Sequence, residues 1–206
     1  MITLLITLAL LQFKESLTAK EDVLLNLIQM IERDDVLGLR EEIEKSPELI
    51  DVDLWKNDDE SRKETKRPHT LLDVATLYGK VSIVEYLLEH QASGSAEDSM
   101  YWICVDPQDH NTWNTQPLPS VQNGFEDKAY SKKLLQAYLR YKANINDTSR
   151  HAEGMSLLTT CVLNGYIDVA ELLLQSGVNV YAKDNYGLDV LDWLVKAPAV
   201  KFFFFF

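Results

Sequence analysis

The sequence contains few of the patterns on which catalytic or metal sites are usually built. Its four histidines and two cysteines show no C-x-x-C or H-x-x-x-H spacing, so we expect no metal site. The glycine loops that hold nucleotide phosphates and the G-x-S-x-G turn of serine hydrolases are also absent. Carboxylates are plentiful but scattered, with no pair set in an apolar context. We therefore expect a non-enzymatic protein with no catalytic residues and no cofactor.

Basic residues are scarce relative to acidic ones. The 206 residues include 20 Lys and Arg against 32 Asp and Glu, which gives a formal net charge of −12. Proteins bind nucleic acids largely through Lys and Arg side chains that neutralise phosphates. We expect no nucleic-acid partner, and the charge favours a basic or neutral protein partner.

Long apolar runs are nearly absent, and the main one is Met1–Phe13. It is too short to cross a bilayer comfortably as a helix, but its length suits a secretory signal. Leu17-Thr18-Ala19 offers a loose cleavage site, although no Lys or Arg precedes the run. The alternatives for residues 1–19 are a helix packed on the next segment or a mis-assigned start. Membrane association is expected only through residues 1–13.

The other end is apolar as well, because Phe202–Phe206 is a run of phenylalanine. Exposed, it would be an aggregation hazard. We interpret residues 198–206 as an unstructured tail. We interpret the run of phenylalanine as the product of a truncated or mistranslated gene model.

A two-helix pattern is clearest in Gly154–Gly187. Ser156–Val162 predicts a short helix, and Asn164-Gly165 predicts a break. Ile167–Gln175 predicts a second helix, because Val169, Leu172 and Leu173 recur on one face. Gly177 then ends this helix, since glycine tolerates the left-handed conformation that follows many helices.

This segment resembles the ankyrin-repeat family, whose period of 33 residues separates Gly154 from Gly187. It departs from the family at Leu157, where proline is usual, and at Thr159, where histidine is usual. The resemblance implies an all-α solenoid of stacked helix-turn-helix units with projecting β-turns and loops. The residues that fall on family positions are Gly154, Ser156, Leu158, Gly165, Val169, Leu172, Leu173, Leu174, Gly177, Ala182, Asp184 and Gly187.

Other segments carry the same pattern less completely. Residues 20–197 are therefore predicted to form about four repeats and a partial fifth. The first two are a capping repeat at Glu21–Val52, with Asp34 in place of glycine, and a clear repeat at Pro68–Ser93. Another repeat is split between Asp98–Val105 and Ala129–Tyr141, and Gly187–Lys196 contains only the first helix of the partial fifth repeat.

Two insertions interrupt the repeats. Trp55–Arg67 is highly charged, and is interpreted as a solvated loop, with a recognition finger as the alternative. Residues 106–126 are rich in Pro, Asn and Gln and predict a long loop inside the third repeat, either disordered or packed and functional. A hydrolase site built there would need a nucleophile and base that the insertion does not offer.

The two cysteines fall in the first helices of adjacent predicted repeats. Cys161 occupies a small, buried position, and Cys104 corresponds to it one repeat earlier. Packed helices lie roughly 10 Å apart, which exceeds the reach of a disulfide. We therefore expect two buried free thiols.

The resemblance implies a monomeric, cytoplasmic protein-interaction module, an adaptor or scaffold that binds a protein through a concave groove and its turn tips. The alternative is a secreted or membrane-associated effector targeted by the apolar start. Asn146-Asp147-Thr148, an N-glycosylation sequon, matters only in that alternative. The family's contact positions correspond here to His69, Leu77, Tyr78, Met155, Leu163, Asn164, Lys183, Asn185, Tyr186 and Leu188.

Overall fold

The computed structural model describes residues 22–54, 69–90, 92, 96–105, 129–147 and 154–196. The predictions for residues 1–19, Trp55–Arg67, 106–126 and 198–206 fall outside these residues. Within the described ranges, all regular elements are helical, which confirms the predicted all-α class. They are α1 (22–32), α2 (Val36–Lys45), α3 (Leu71–Leu77), α4 (Val81–Glu89), α5 (Ala96–Met100), α6 (Ala129–Arg140), α7 (Leu157–Leu163), α8 (Ile167–Gln175) and α9 (Val190–Lys196), with 3₁₀ turns at Pro47–Asp51 and Tyr101–Cys104.

The helices form two layers of a stack. The second helices of successive units make one layer, in which α2 contacts α4, α4 contacts α6 and α6 contacts α8. The first helices make the other layer, in which α3 contacts α5, and α7 contacts both the Tyr101–Cys104 turn and α9. Each unit therefore buries its apolar faces against its neighbours, as expected for a solenoid.

Left-handed residues separate the two helices within a unit. Gly79 (φ 69°) and Gly165 (φ 73°) separate the two helices of their units, and Asp34 (φ 59°) takes the same place in the first unit. This confirms the predicted register of Asp34. Glycine is needed at Gly79 for a second reason, because an added Cβ would lie 2.5 Å from the Tyr130 ring.

A buried hydrogen-bond network joins the second and third units. Thr76 Oγ1 donates to Leu72 O at 2.7 Å, so the Tyr138 hydroxyl, 2.5 Å away, donates to Thr76. Burial raises the pKa of Tyr138, which keeps this donor protonated. Ser99 Oγ donates to Asp73 Oδ1 at 2.6 Å, and paired polar groups of this kind avoid the cost of burial without a partner.

Asp73 also caps α3. Its Oδ2 accepts from the backbone N–H groups of His69 and Thr70, while the Thr70 side chain accepts from Asp73 N. The last unit repeats this arrangement, because Asp192 Oδ2 accepts from Asp189 N and Asp189 Oδ1 accepts from Asp192 N. An aspartate at the family's histidine position thus closes a capping box at the start of the helix.

The prediction of two free thiols is wrong, because Cys104 and Cys161 form a disulfide with a Cα–Cα distance of 5.0 Å. The prediction used the distance between helix axes. Residues on facing sides lie closer, since a Cα radius of about 2.3 Å on each helix reduces an axial separation of about 8–10 Å to roughly 3.4–5.4 Å. Cys104 ends a 3₁₀ turn that contacts α7, which carries Cys161.

We expect Leu173→Ala to destabilise the stack by about 2–5 kcal/mol, as other large-to-small core changes do. Leu173 is fully buried, whereas the adjacent Leu174 is 52% exposed, so Leu174→Ala is a matched control that should have little effect. Urea unfolding measures both. Equal midpoints for the two variants would show that the register of α8 is wrong.

Reduction of the Cys104–Cys161 bond should lower the free energy of unfolding by about 4 kcal/mol, because the bond closes a long loop in the unfolded chain. The two residues are separated by 57 positions. Urea unfolding with and without reductant tests this, and a Cys104→Ala/Cys161→Ala variant should not respond to reductant. A wild-type midpoint that is indifferent to reductant would contradict the assignment.

Candidate protein-binding surface

The segment between α8 and α9 forms a turn organised by one buried carboxylate. Asp184 Oδ1 accepts from the backbone N–H groups of Tyr186 and Leu188, each at 2.9 Å. Its Oδ2 accepts from the Trp193 indole at 2.6 Å, and its own N–H donates to Leu188 O at 2.9 Å. These bonds tie the turn to α9.

The turn presents large side chains to solvent. Tyr186 is 62% exposed, and Tyr181, near the start of the same connection, is 71% exposed. Lys183 is exposed as well, with its Nζ 3.1 Å from Gly187 O and 3.6 Å from an Asp189 carboxylate oxygen. We call Tyr181, Lys183, Asn185 and Tyr186 the tyrosine turn.

The tyrosine turn lies against the beginning of the fourth repeat. A Cβ added at Gly154 would approach Asn185 Oδ1 to 2.6 Å, so the two segments are in close contact. Met155, the next residue, is half-buried, and so is Leu188 at the other end of the turn. Of the predicted contact residues, Lys183, Asn185, Tyr186 and Leu188 share this turn, and Met155 follows the glycine that Asn185 contacts.

The predicted exposure of Leu77 and Tyr78 is wrong. Leu77 is 3% exposed and packs with Trp102 and Val105 of the next unit. Tyr78 is 5% exposed, and its hydroxyl donates to Glu32 Oε1 at 3.3 Å. The third unit covers the end of α3 with its 3₁₀ turn, because α5 is too short to continue as a full first helix.

The remaining predicted residues are dispersed. His69 is exposed two units away along the stack, with Nδ1 3.7 Å from Asp53 Oδ1. Leu163 is half-buried, and Asn164 is exposed at the end of α7. Asn164 Nδ2 donates to Cys104 O at 2.8 Å, so this side chain supports the junction that the disulfide closes.

Tyr181 was not among the predicted contact residues, although it is the most exposed tyrosine of the described residues. The sequence contained a signal for it. Tyr181 stands where the family pattern has a polar asparagine, and an aromatic residue at a turn position with no core to fill is a candidate for recognition.

Other kinds of site find no support in the described ranges. No group of three or more potential metal ligands occurs there. None of the described helices is long and apolar enough to cross a membrane.

The electrostatics of the turn depend on its hydrogen bonds. Burial raises the pKa of Asp184, but bonds from the Leu188 N–H, the Trp193 indole and the Tyr186 N–H outweigh burial, so the pKa lies below its usual value. The pKa of Asp189 is also lowered, chiefly by the bond from Asp192 N–H. Both groups are therefore expected to be ionised at neutral pH.

A lowered folded-state pKa makes stability depend on pH in a definite direction. The contribution of Asp184 is present above the unfolded pKa and is lost as the pH falls through the folded pKa, that is, below about pH 4. We expect wild type to exceed Asp184→Asn in urea midpoint at pH 7, and the difference to shrink on acidification. A difference independent of pH between 7 and 2 would contradict this role.

Comparison with known proteins agrees with the geometry. Residues 153–185 match the family model described as ankyrin repeat, and this range contains α7, α8 and the Asp184 turn up to Asn185. No curated protein sequence gives a significant match. The matched segment is thus an ankyrin repeat, within a stack of helices that continues on either side of it.

Proposed function

We propose that the protein is a non-catalytic protein-interaction module that binds its partner through the tyrosine turn. The observation that carries the proposal is the combination of a hydrogen-bonded backbone and exposed aromatic side chains at one turn. Tyr186 is 62% exposed while its own N–H is fixed on Asp184. Ankyrin repeats in general bind protein partners, which supports the same class of function.

A preformed turn favours binding because less conformational entropy is lost when the partner arrives. Tyrosine suits such a surface, since it buries a large area while only two side-chain torsions are fixed. Met155 and Leu188, both half-buried beside the turn, would supply the apolar edge of the contact.

Lys183 is the cation of this surface, and carboxylate oxygens of Asp189 and Asp192 lie 3.6 and 3.5 Å from its ammonium group. Its ammonium group is already paired with Asp189 and Gly187 O, so its main role is to fix the turn. The net charge of −12 favours a basic or neutral partner at longer range.

We expect Tyr181→Ala/Tyr186→Ala to weaken partner binding at least tenfold, because truncating an aromatic hot spot costs about 2 kcal/mol or more. The urea midpoint should hardly change, since substitutions of exposed residues shift stability by about 0.5 kcal/mol or less. Affinity purification of the full chain would identify the partner, and titration of the purified pair would give the dissociation constants.

Leu174→Ala serves as the control for this experiment, because Leu174 is also a large exposed residue but lies on α8 rather than on the turn. It should bind like wild type. Equal affinity of the double tyrosine variant and wild type would show that the partner binds another surface. A fall in the urea midpoint of the variant would show that the two tyrosines belong to the core.

The disulfide supports a second, more specific candidate: a secreted or membrane-associated ankyrin-repeat effector. Disulfides persist in oxidising compartments and are rare in the cytosol. The Cys104–Cys161 bond therefore favours the exported alternative over the cytoplasmic one. The binding role is the same in either compartment.

The mature N-terminus and the thiol state in intact cells test this second candidate together. A chain that begins at Lys20 and carries oxidised Cys104 and Cys161 would support export. An intact Met1 with both thiols alkylated by a trap added at lysis would exclude it.

A further inference from the structure

We propose that Asn146 is an N-glycosylation site. This inference rests on the exported form proposed above. Asn146-Asp147-Thr148 is the one N-x-[ST] sequon in the chain, and the structure places the acceptor residue on an exposed turn between units. Partner binding through the tyrosine turn does not require a sequon at this position.

The geometry of Asn146 is compatible with a modified side chain. Asn146 follows α6 in a turn where its N–H donates to Asn144 Oδ1 at 3.1 Å and Asp147 N donates to Asn144 O at 3.2 Å. Its side-chain oxygen Oδ1 accepts from Asn179 N at 2.7 Å, which links this turn to the next one. The structural role of the side chain is thus carried by the oxygen.

Glycosylation uses the other atom of the amide. The donor class is an oligosaccharide on a lipid pyrophosphate. The bond between sugar C1 and the pyrophosphate oxygen breaks, a bond between C1 and Nδ2 forms, one proton leaves the amide, and the lipid pyrophosphate departs. No oxidation or reduction occurs, and the carbonyl oxygen remains an acceptor. The Asn146–Asn179 bond can therefore persist in the modified protein.

A second observation, independent of the sequon, points to the compartment in which this reaction occurs. Cys104 and Cys161 are fully buried and bonded to each other, which is the state expected of a chain that folds under oxidising conditions. A bulky, solubilising sugar is tolerated at surface positions, and Asn146 satisfies this requirement because it is exposed.

The test is expression of the full chain, with its own N-terminus, in eukaryotic cells, followed by digestion with a glycosidase specific for N-linked sugars. We expect wild type to show one discrete loss of apparent mass on digestion. Because the glycosidase converts the modified asparagine to aspartate, peptide mass spectrometry should find aspartate at position 146. Asn146→Gln and Thr148→Ala should lose the shift, while Thr148→Ser should keep it.

Asn179→Gln is the matched control, because Asn179 is exposed on the neighbouring turn but begins no sequon; its variant should keep the shift. A wild-type chain without a sugar overturns the glycosylation proposal. If that chain is nevertheless exported with Cys104 and Cys161 oxidised, the exported form stands and glycosylation alone fails. If its thiols are free and it stays in the cytosol, both proposals fail.

Discussion

The structure depends on the burial of each unit's apolar face by its neighbours. A pair of short helices such as α7 and α8 cannot enclose a core by itself, since each has apolar residues on a face that only another unit can cover. The fully buried Leu87, Leu134, Leu158 and Leu173 are spread through three consecutive units. Stability is therefore distributed along the chain, and contacts between units decide it.

Polar contacts and a disulfide also join neighbouring units. Tyr138 reaches from α6 to Thr76 in α3, and the Asn146–Asn179 bond joins successive turns. The Cys104–Cys161 bond closes the junction between the third and fourth units covalently. That junction contains the shortest first helix of the described residues, α5.

The fold followed from the sequence wherever local signals were strong. Gly165, Gly177 and the leucines of α8 fixed the fourth repeat almost completely, and Asp34 was recognised as a replacement for glycine because the pattern on both sides of it was intact. The disulfide was missed because a mean spacing between helix axes says nothing about which side chains face each other. That information depends on where α5 gives way to a 3₁₀ turn.

The candidate site was harder to predict for a related reason. Family positions indicate which residues tend to face outward, but the burial of Leu77 and Tyr78 is decided by Trp102, Val105 and Glu32 of neighbouring units. Tyr186 was identified correctly as exposed, because its turn projects beyond the stack. Tyr181 was missed because family positions were given more weight than the chemistry of the residue found there.

The central claim is that the tyrosine turn is held in one conformation before any partner binds. Amide hydrogen exchange of the free protein, resolved by residue, tests it most directly. The account predicts that the Tyr186 and Leu188 amides exchange about as slowly as amides within α8, because both donate to the buried Asp184 carboxylate. Exchange at the rate of an unstructured chain would contradict it.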